Sequence, residues 1–137
     1  VRFHPNQESL LCTAASDSSV RLWDVRSATQ KALGRLDVQS GSSATDVEWC
    51  TAPGSSLLAV TERNGSVHIY DTRKLPHASS KSSALHTFPL KPSVVEACIF
   101  SPASHHLVAA TTNNGVAELS VWNWQKEDSE NFMYPAH

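Results

Sequence analysis

Three times along the chain a short apolar opening closes on an aromatic residue, and the same polar punctuation follows each time. The openings are Val1-Arg2-Phe3-His4-Pro5, then Val47-Glu48-Trp49-Cys50 with Pro53 close behind, then Cys98-Ile99-Phe100-Ser101-Pro102. Each leads into an apolar, β-branched run at residues 10–15, 57–61 and 107–112. Each run gives way to turn residues: Ser16-Asp17-Ser18, Arg63-Asn64-Gly65 and Asn113-Asn114-Gly115. Behind each turn comes an alternating segment with an aromatic near its end: Val20-Arg21-Leu22-Trp23-Asp24, Val67-His68-Ile69-Tyr70-Asp71 and Leu119-Ser120-Val121-Trp122-Asn123. Alternation of period two is the mark of a strand, and it sets Val67 and Ile69 on one face with His68 and Tyr70 on the other.

Two landmarks keep step across the copies. Phe3 to Trp49 and Trp23 to Tyr70 are each about 46 residues apart, while Trp49 to Phe100 and Tyr70 to Trp122 are each about 51, near the period of four-stranded repeat units. A fourth short strand is expected at 33–38, 85–90 and 132–134, with Ser/Gly/Lys-rich joints at 39–43 and 76–83. The units run roughly over 1–43, 44–93 and 94–135, and a further one is expected to start at Ala136-His137, which resembles the Gly-His dipeptide that opens repeats of this kind. Asn64-Gly65 and Asn114-Gly115 predict two-residue hairpin turns, because both residue types tolerate positive φ. Residues 126–131 are charged and predict a loop or a single turn, and no segment predicts a helix.

These residues resemble the WD-repeat family, whose pattern places an Asp in the inner hairpin turn and a Trp-Asp pair at the close of the third strand. The first unit matches best, with Asp17 and Trp23-Asp24. The second substitutes Asn64 and Tyr70-Asp71, and the third Asn114 and Trp122-Asn123, with about two extra residues between turn and aromatic. The resemblance implies an all-β fold of three consecutive four-stranded blades from a seven-blade β-propeller. Three unclosed blades leave uncovered apolar faces, so a chain starting on Val1 reads as a piece of a longer one with about four more blades. It also implies structural roles: Asp17, Asn64 and Asn114 in turns, Asp24 and Asp71 at strand ends, Trp23, Tyr70 and Trp122 in blade packing.

Composition adds little chemistry. A net charge of -2 gives no sequence-wide reason to bind polyanions. No apolar run approaches the roughly 20 residues of a membrane-spanning helix. Cys12, Cys50 and Cys98 are far apart in apolar, strand-like contexts and read as buried reduced thiols of a cytosolic or nuclear protein. Among seven histidines, His105-His106 are neighbours, but adjacent residues of an extended strand point to opposite faces and make a poor chelate. No phosphate loop, nucleophile elbow or zinc-protease motif is present. The expectation is a protein without catalytic residues, cofactor, metal or small-molecule substrate, and without a membrane role.

What remains is interaction. Arg26 and Arg73 each follow the aromatic-Asp pair by two residues and stand as candidate partner contacts, since a guanidinium offers planar, multi-donor recognition. Trp23-Asp24-Val25-Arg26 and Tyr70-Asp71-Thr72-Arg73 resemble the signature of propellers that recruit substrates to cullin-4 ubiquitin ligases. A narrower resemblance is to the propeller subunit (subunit 3) of the THO complex, carried by His4-Pro5-Asn6, the 16–26 unit, Val94-Val95-Glu96, Asn113-Asn114-Gly115 and Tyr134-Pro135-Ala136-His137. It implies a nuclear scaffold in a multi-protein complex that couples transcription to messenger-RNA packaging and export. The partners are then other proteins, with RNA association indirect, because no basic segment interleaved with aromatics is present. A histone or RNA reader is the remaining alternative.

Overall fold

A computed structural model describes residues 1–29, 31–38, 40–75, 83–89 and 94–126, together with the backbone of 132–135. The joint at 76–82, most of the charged stretch 126–131, and Ala136-His137 lie outside the described residues. The chain is all-β, with one single-turn 3-10 helix, Thr72–Lys74, among the described residues. Among the described residues twelve strands run in order: β1 (Arg2–His4), β2 (Gln7–Ala14), β3 (Ser19–Asp24), β4 (Gly34–Asp37), β5 (Ala44–Trp49), β6 (Leu57–Glu62), β7 (Ser66–Asp71), β8 (His86–Pro89), β9 (Val94–Phe100), β10 (His106–Asn113), β11 (Val116–Asn123) and β12 (Phe132–Pro135). They form three antiparallel meanders in strictly sequential order, β1-β2-β3-β4, β5-β6-β7-β8 and β9-β10-β11-β12. Each meander is a four-stranded sheet of the kind that the three sequence units predict.

Turn chemistry differs from hairpin to hairpin, and one expectation is corrected. Asn114-Gly115 is a two-residue turn with both residues at positive φ (49° and 80°), joining Asn113 to Val116. Asn64-Gly65 is not such a turn. Its loop has three residues, Arg63 to Gly65, and only Gly65 is left-handed (φ 82°), with its N–H bonded to the Glu62 carbonyl at 3.0 Å. The Asn64 side chain instead accepts the Ser66 N–H at 3.0 Å, a local bond that holds Asn64 at negative φ. The first hairpin is also a three-residue loop, with Ser18 (φ 62°) in the position Gly65 holds. The two extra residues of the third unit extend the ladder, giving eight consecutive β10–β11 pairs without a register shift.

The sheets pack face to face through alternate residues. Trp49, Leu58, Val60 and Tyr70 of the middle sheet meet Cys12, Val20, Leu22 and Leu36 of the first. Its other face, Ala59, Val67, Ile69 and Phe88, meets Phe100, Leu107, Ala109 and Trp122 of the third. The period-two reading of 67–70 is therefore realised, with Val67 and Ile69 toward one neighbour and Tyr70 toward the other. Phe88 and Trp122 stack at 5.2 Å across the second interface, and Trp49 donates from Nε1 to the Arg2 carbonyl at 3.3 Å across the first. Cys12, Cys50 and Cys98 are free and buried, and burial pushes the Cys12 thiol up to about 12.

Candidate interaction surface

One rim of the three sheets carries the same small device three times. At the end of β3, Asp24 Oδ1 accepts the Arg26 N–H at 2.9 Å and Arg26 Nε at 3.2 Å, while Oδ2 accepts Nη2 at 3.2 Å. At the end of β7, Asp71 repeats this with Arg73 at 3.0, 3.0 and 2.8 Å. At the end of β11, Asn123 Oδ1 accepts the Gln125 N–H at 3.1 Å. An Asp or Asn side chain that captures the N–H two residues on closes an Asx turn and directs the chain off the strand. The residue between is pinned by a backbone bond to the start of the second strand or the residue just ahead of it: Val25 to Ser9 in β2 (2.8 Å), Thr72 to Ser56 (2.8 Å) and Trp124 to His105 (3.0 Å).

Arg26 and Arg73 thus occupy equivalent places on one rim, with side chains 77% and 72% exposed. Each wraps its fork onto its own carboxylate and keeps its outer edge in solvent. The guanidinium hydrogen bonds hold both carboxyls, Asp24 and Asp71, below the usual carboxylate range. The settings differ in depth, since the Asp71 side chain is 6% exposed and that of Asp24 is 24%. Beside Arg26, Gln7, Glu8 and Ser9 complete the lining of a shallow cavity of about 320 Å³.

Asp17, Asn64 and Asn114 lie at the opposite ends of the sheets. Asp17 Oδ1 accepts the Ser19 N–H at 3.1 Å and its hydroxyl at 2.5 Å, and Oδ2 pairs with Arg21 Nη2 at 2.7 Å. These bonds, the Ser19 hydroxyl first, lower its pKa to about 2. The structural turn role expected of Asp17 is thus carried by Ser19, and its charged partner is Arg21. Tyr70 and Trp122 are each buried against the preceding sheet. Trp23 holds the same place on the first sheet; it is half-buried, and its Nε1 donates to Thr13 Oγ1 at 3.0 Å.

Two polar groupings escaped sequence reasoning. Between the first and second sheets, His68 Nε2 lies 2.9 Å from Glu62 Oε1, and both side chains are buried. His68 Nδ1 pairs with Thr87 Oγ1 at 2.9 Å, and Ser40 Oγ bonds Glu62 Oε2 while accepting Asn64 Nδ2 at 3.0 Å. Burial pushes the His68 pKa down, opposed by Glu62. Its only sequence signal was that alternation set His68 on the Tyr70 face. At the inner strands, Arg2 bridges Asp46 (3.5 Å) and Glu48 (3.0 Å), and buried His4 packs edge-on against Trp49 at 4.6 Å. Among the described residues no three His, Cys, Asp or Glu side chains are grouped to hold a metal ion.

A family model described as "WD domain, G-beta repeat" matches residues 1–24, which span the first hairpin up to Asp24. That match and the three meander sheets support a WD-repeat family. The chain is 31% identical over 127 residues, 90% of its length, to "Peptidyl-prolyl cis-trans isomerase CYP71" of Arabidopsis thaliana, of which this stretch is 19%. It is 30% identical to "Apoptotic protease-activating factor 1" of Mus musculus over 88% of the chain and of Rattus norvegicus over 89%, covering 9% and 10% of those proteins. The chain therefore spans a fifth or less of the relatives it matches. WD repeats generally act as protein-interaction scaffolds.

Proposed function

We propose that the chain is the working part of a propeller-type scaffold that binds proteins through the rim carrying Arg26 and Arg73. The observation that supports this is the repeated Asp-x-Arg turn, which presents two guanidinium edges in the same orientation on adjacent sheets. Each edge is held rigid by its own carboxylate, so little side-chain entropy is lost when a partner docks. The seven-blade expectation belongs to this reading, and closing such a circle requires sheets beyond these three. The isomerase activity in the plant relative's name is not carried over, because the shared stretch is 19% of that protein.

The narrower reading is a nuclear scaffold of the THO type, in a complex that couples transcription to messenger-RNA packaging and export, with RNA reached through partners. It rests on the sequence runs named above. The twin rim arginines favour a second reading, a substrate receptor for a cullin-4 ubiquitin ligase. Affinity purification from nuclear extract, with the chain and its Arg26→Ala/Arg73→Ala variant as baits, separates the two. THO subunits retained by both baits support the first. A ligase adaptor captured by the chain and lost from the variant supports the second and sinks the first. Equal capture of every protein by both baits removes the rim from the reading.

A further inference from the structure

We infer that Asn114-Gly115 is a self-modifying site, where the Asn114 side-chain amide is lost through a cyclic imide to leave aspartyl and isoaspartyl residues at that position. The reaction needs no enzyme and no reagent but water. The Gly115 backbone nitrogen gives up its proton and attacks Asn114 Cγ. The N–Cγ bond forms, the Cγ–Nδ2 bond breaks, and Nδ2 leaves as ammonia with that proton. Water then opens the ring. Cleavage of the N–Cγ bond gives the aspartyl residue. Cleavage between the same nitrogen and the Asn114 backbone carbonyl carbon gives the isoaspartyl one, whose main chain runs through Cβ and Cγ. A glycine in the second position permits the attack, because no side chain obstructs its nitrogen.

The chain carries this dipeptide twice, at 64–65 and 114–115, and the fold treats the two copies differently. At the first, both reacting groups are tied. Asn64 Oδ1 accepts the Ser66 N–H at 3.0 Å and Nδ2 donates to Ser40 Oγ at 3.0 Å. The Gly65 N–H is spent on the Glu62 carbonyl at 3.0 Å, and Gly65 is buried. At the second, Asn114 and Gly115 are both exposed and both left-handed, with φ of 49° and 80°. Among the described residues neither the Asn114 amide nor the Gly115 N–H has a hydrogen-bond partner. A Cβ built on Gly115 would meet nothing within 4 Å, so the space around its nitrogen is open.

Exposure here is a property of the hairpin tip. Asp17 and Arg63, at the corresponding tips, are exposed on sheets that do have a following sheet packed against them. The reacting geometry requires only that the tip open locally, which costs the last pair of the ladder, Asn113 with Val116. The two products differ in what they do to the turn. The aspartyl product is the residue type that Asp17 supplies in the first hairpin. The isoaspartyl product lengthens the main chain of a two-residue turn, which no longer matches the ladder it closes.

The test follows the folded 137-residue chain through incubation in warm, mildly alkaline buffer, where the amide proton leaves more readily. Digestion in acid and liquid chromatography with mass spectrometry then read each Asn-Gly peptide for the mass gained by exchanging NH2 for OH. The peptide holding Asn114 should convert about tenfold or more faster than the one holding Asn64, whose hydrogen bonds must break first. Its product should separate into aspartyl and isoaspartyl forms. In urea the two peptides should convert at similar rates, because the fold alone distinguishes them. Equal rates in the folded chain overturn the proposal, as does faster conversion at Asn64. So does an Asn114 that stays intact in the folded chain while both convert in urea.

Discussion

The carboxylates at the ends of β3 and β7 show how depth changes the meaning of the same contact. Asp24 and Asp71 make the same three bonds to their arginines, but only Asp71 has its side chain out of water. Removing the arginine leaves a buried carboxylate short of donors in one case and a solvated one in the other. Arg73→Ala should therefore lower Tm clearly more than Arg26→Ala, as scanning calorimetry at neutral pH would show. The indoles make a similar contrast. Trp23 Nε1 finds Thr13, two residues on from its cross-strand partner Leu11, whereas Trp122 Nε1 is buried without an acceptor among the described residues and the matching position holds Ala109. Ala109→Ser should supply one and stabilise the fold by about 1 kcal/mol in urea unfolding. A loss of stability would mean that the hydroxyl does not reach the indole.

Titration at this scale acts in two windows. Burial lowers the pKa of His4 and His68 in the fold, so the unfolded chain takes up their protons first as pH falls through about 6.5. Stability should decline from that point downward, and His4→Phe should flatten part of the decline. The lowered acids act further down. Asp17, at about 2 in the fold, contributes stability above its unfolded value near 3.8 that is lost as pH falls toward 2. Asp17→Asn should remove that part of the acid limb in chemical denaturation curves collected between pH 5 and 2.

Among the elements, the hairpins were legible to different depths. Asn114-Gly115 met its expectation, whereas Asn64, whose side chain is engaged by Ser66 and Ser40, did not. A Cβ at Gly115 would meet no atom within 4 Å, so its φ of +80° is the whole cost of substitution there. Gly115→Ala should destabilise by about 1 kcal/mol, the left-handed penalty less the gain from a stiffer unfolded chain. The fourth strands fall where short apolar stretches predicted them, at Gly34–Asp37, His86–Pro89 and Phe132–Pro135. The Glu62–His68 pair was not legible. It needs a diagonal cross-strand neighbour and a serine 22 residues away on the joint from the previous sheet, and no local pattern encodes that meeting.

For the whole molecule, energy sits in the interfaces between sheets. Trp122 is 1% exposed and stacked on Phe88, so Trp122→Ala should cost about 3–5 kcal/mol in urea unfolding. Trp23→Ala, at the same place on the outer sheet, should cost under about 2 kcal/mol for the area it covers. Equal losses would mean that the first sheet's open face is covered in solution.

The sequence alone determined the three repeats, their strands and which residues alternate toward which face, because strand period and turn chemistry are local properties of a few neighbouring residues. It also singled out Asp24, Arg26, Asp71 and Arg73 by spacing. Only the tertiary structure decided that these residues share one rim and that Asp71 is buried where Asp24 is not. It decided as well that Tyr70 and Trp122 are buried between sheets. Those facts depend on which sheet stands next to which, a relation between residues some 50 positions apart that no window along the chain contains.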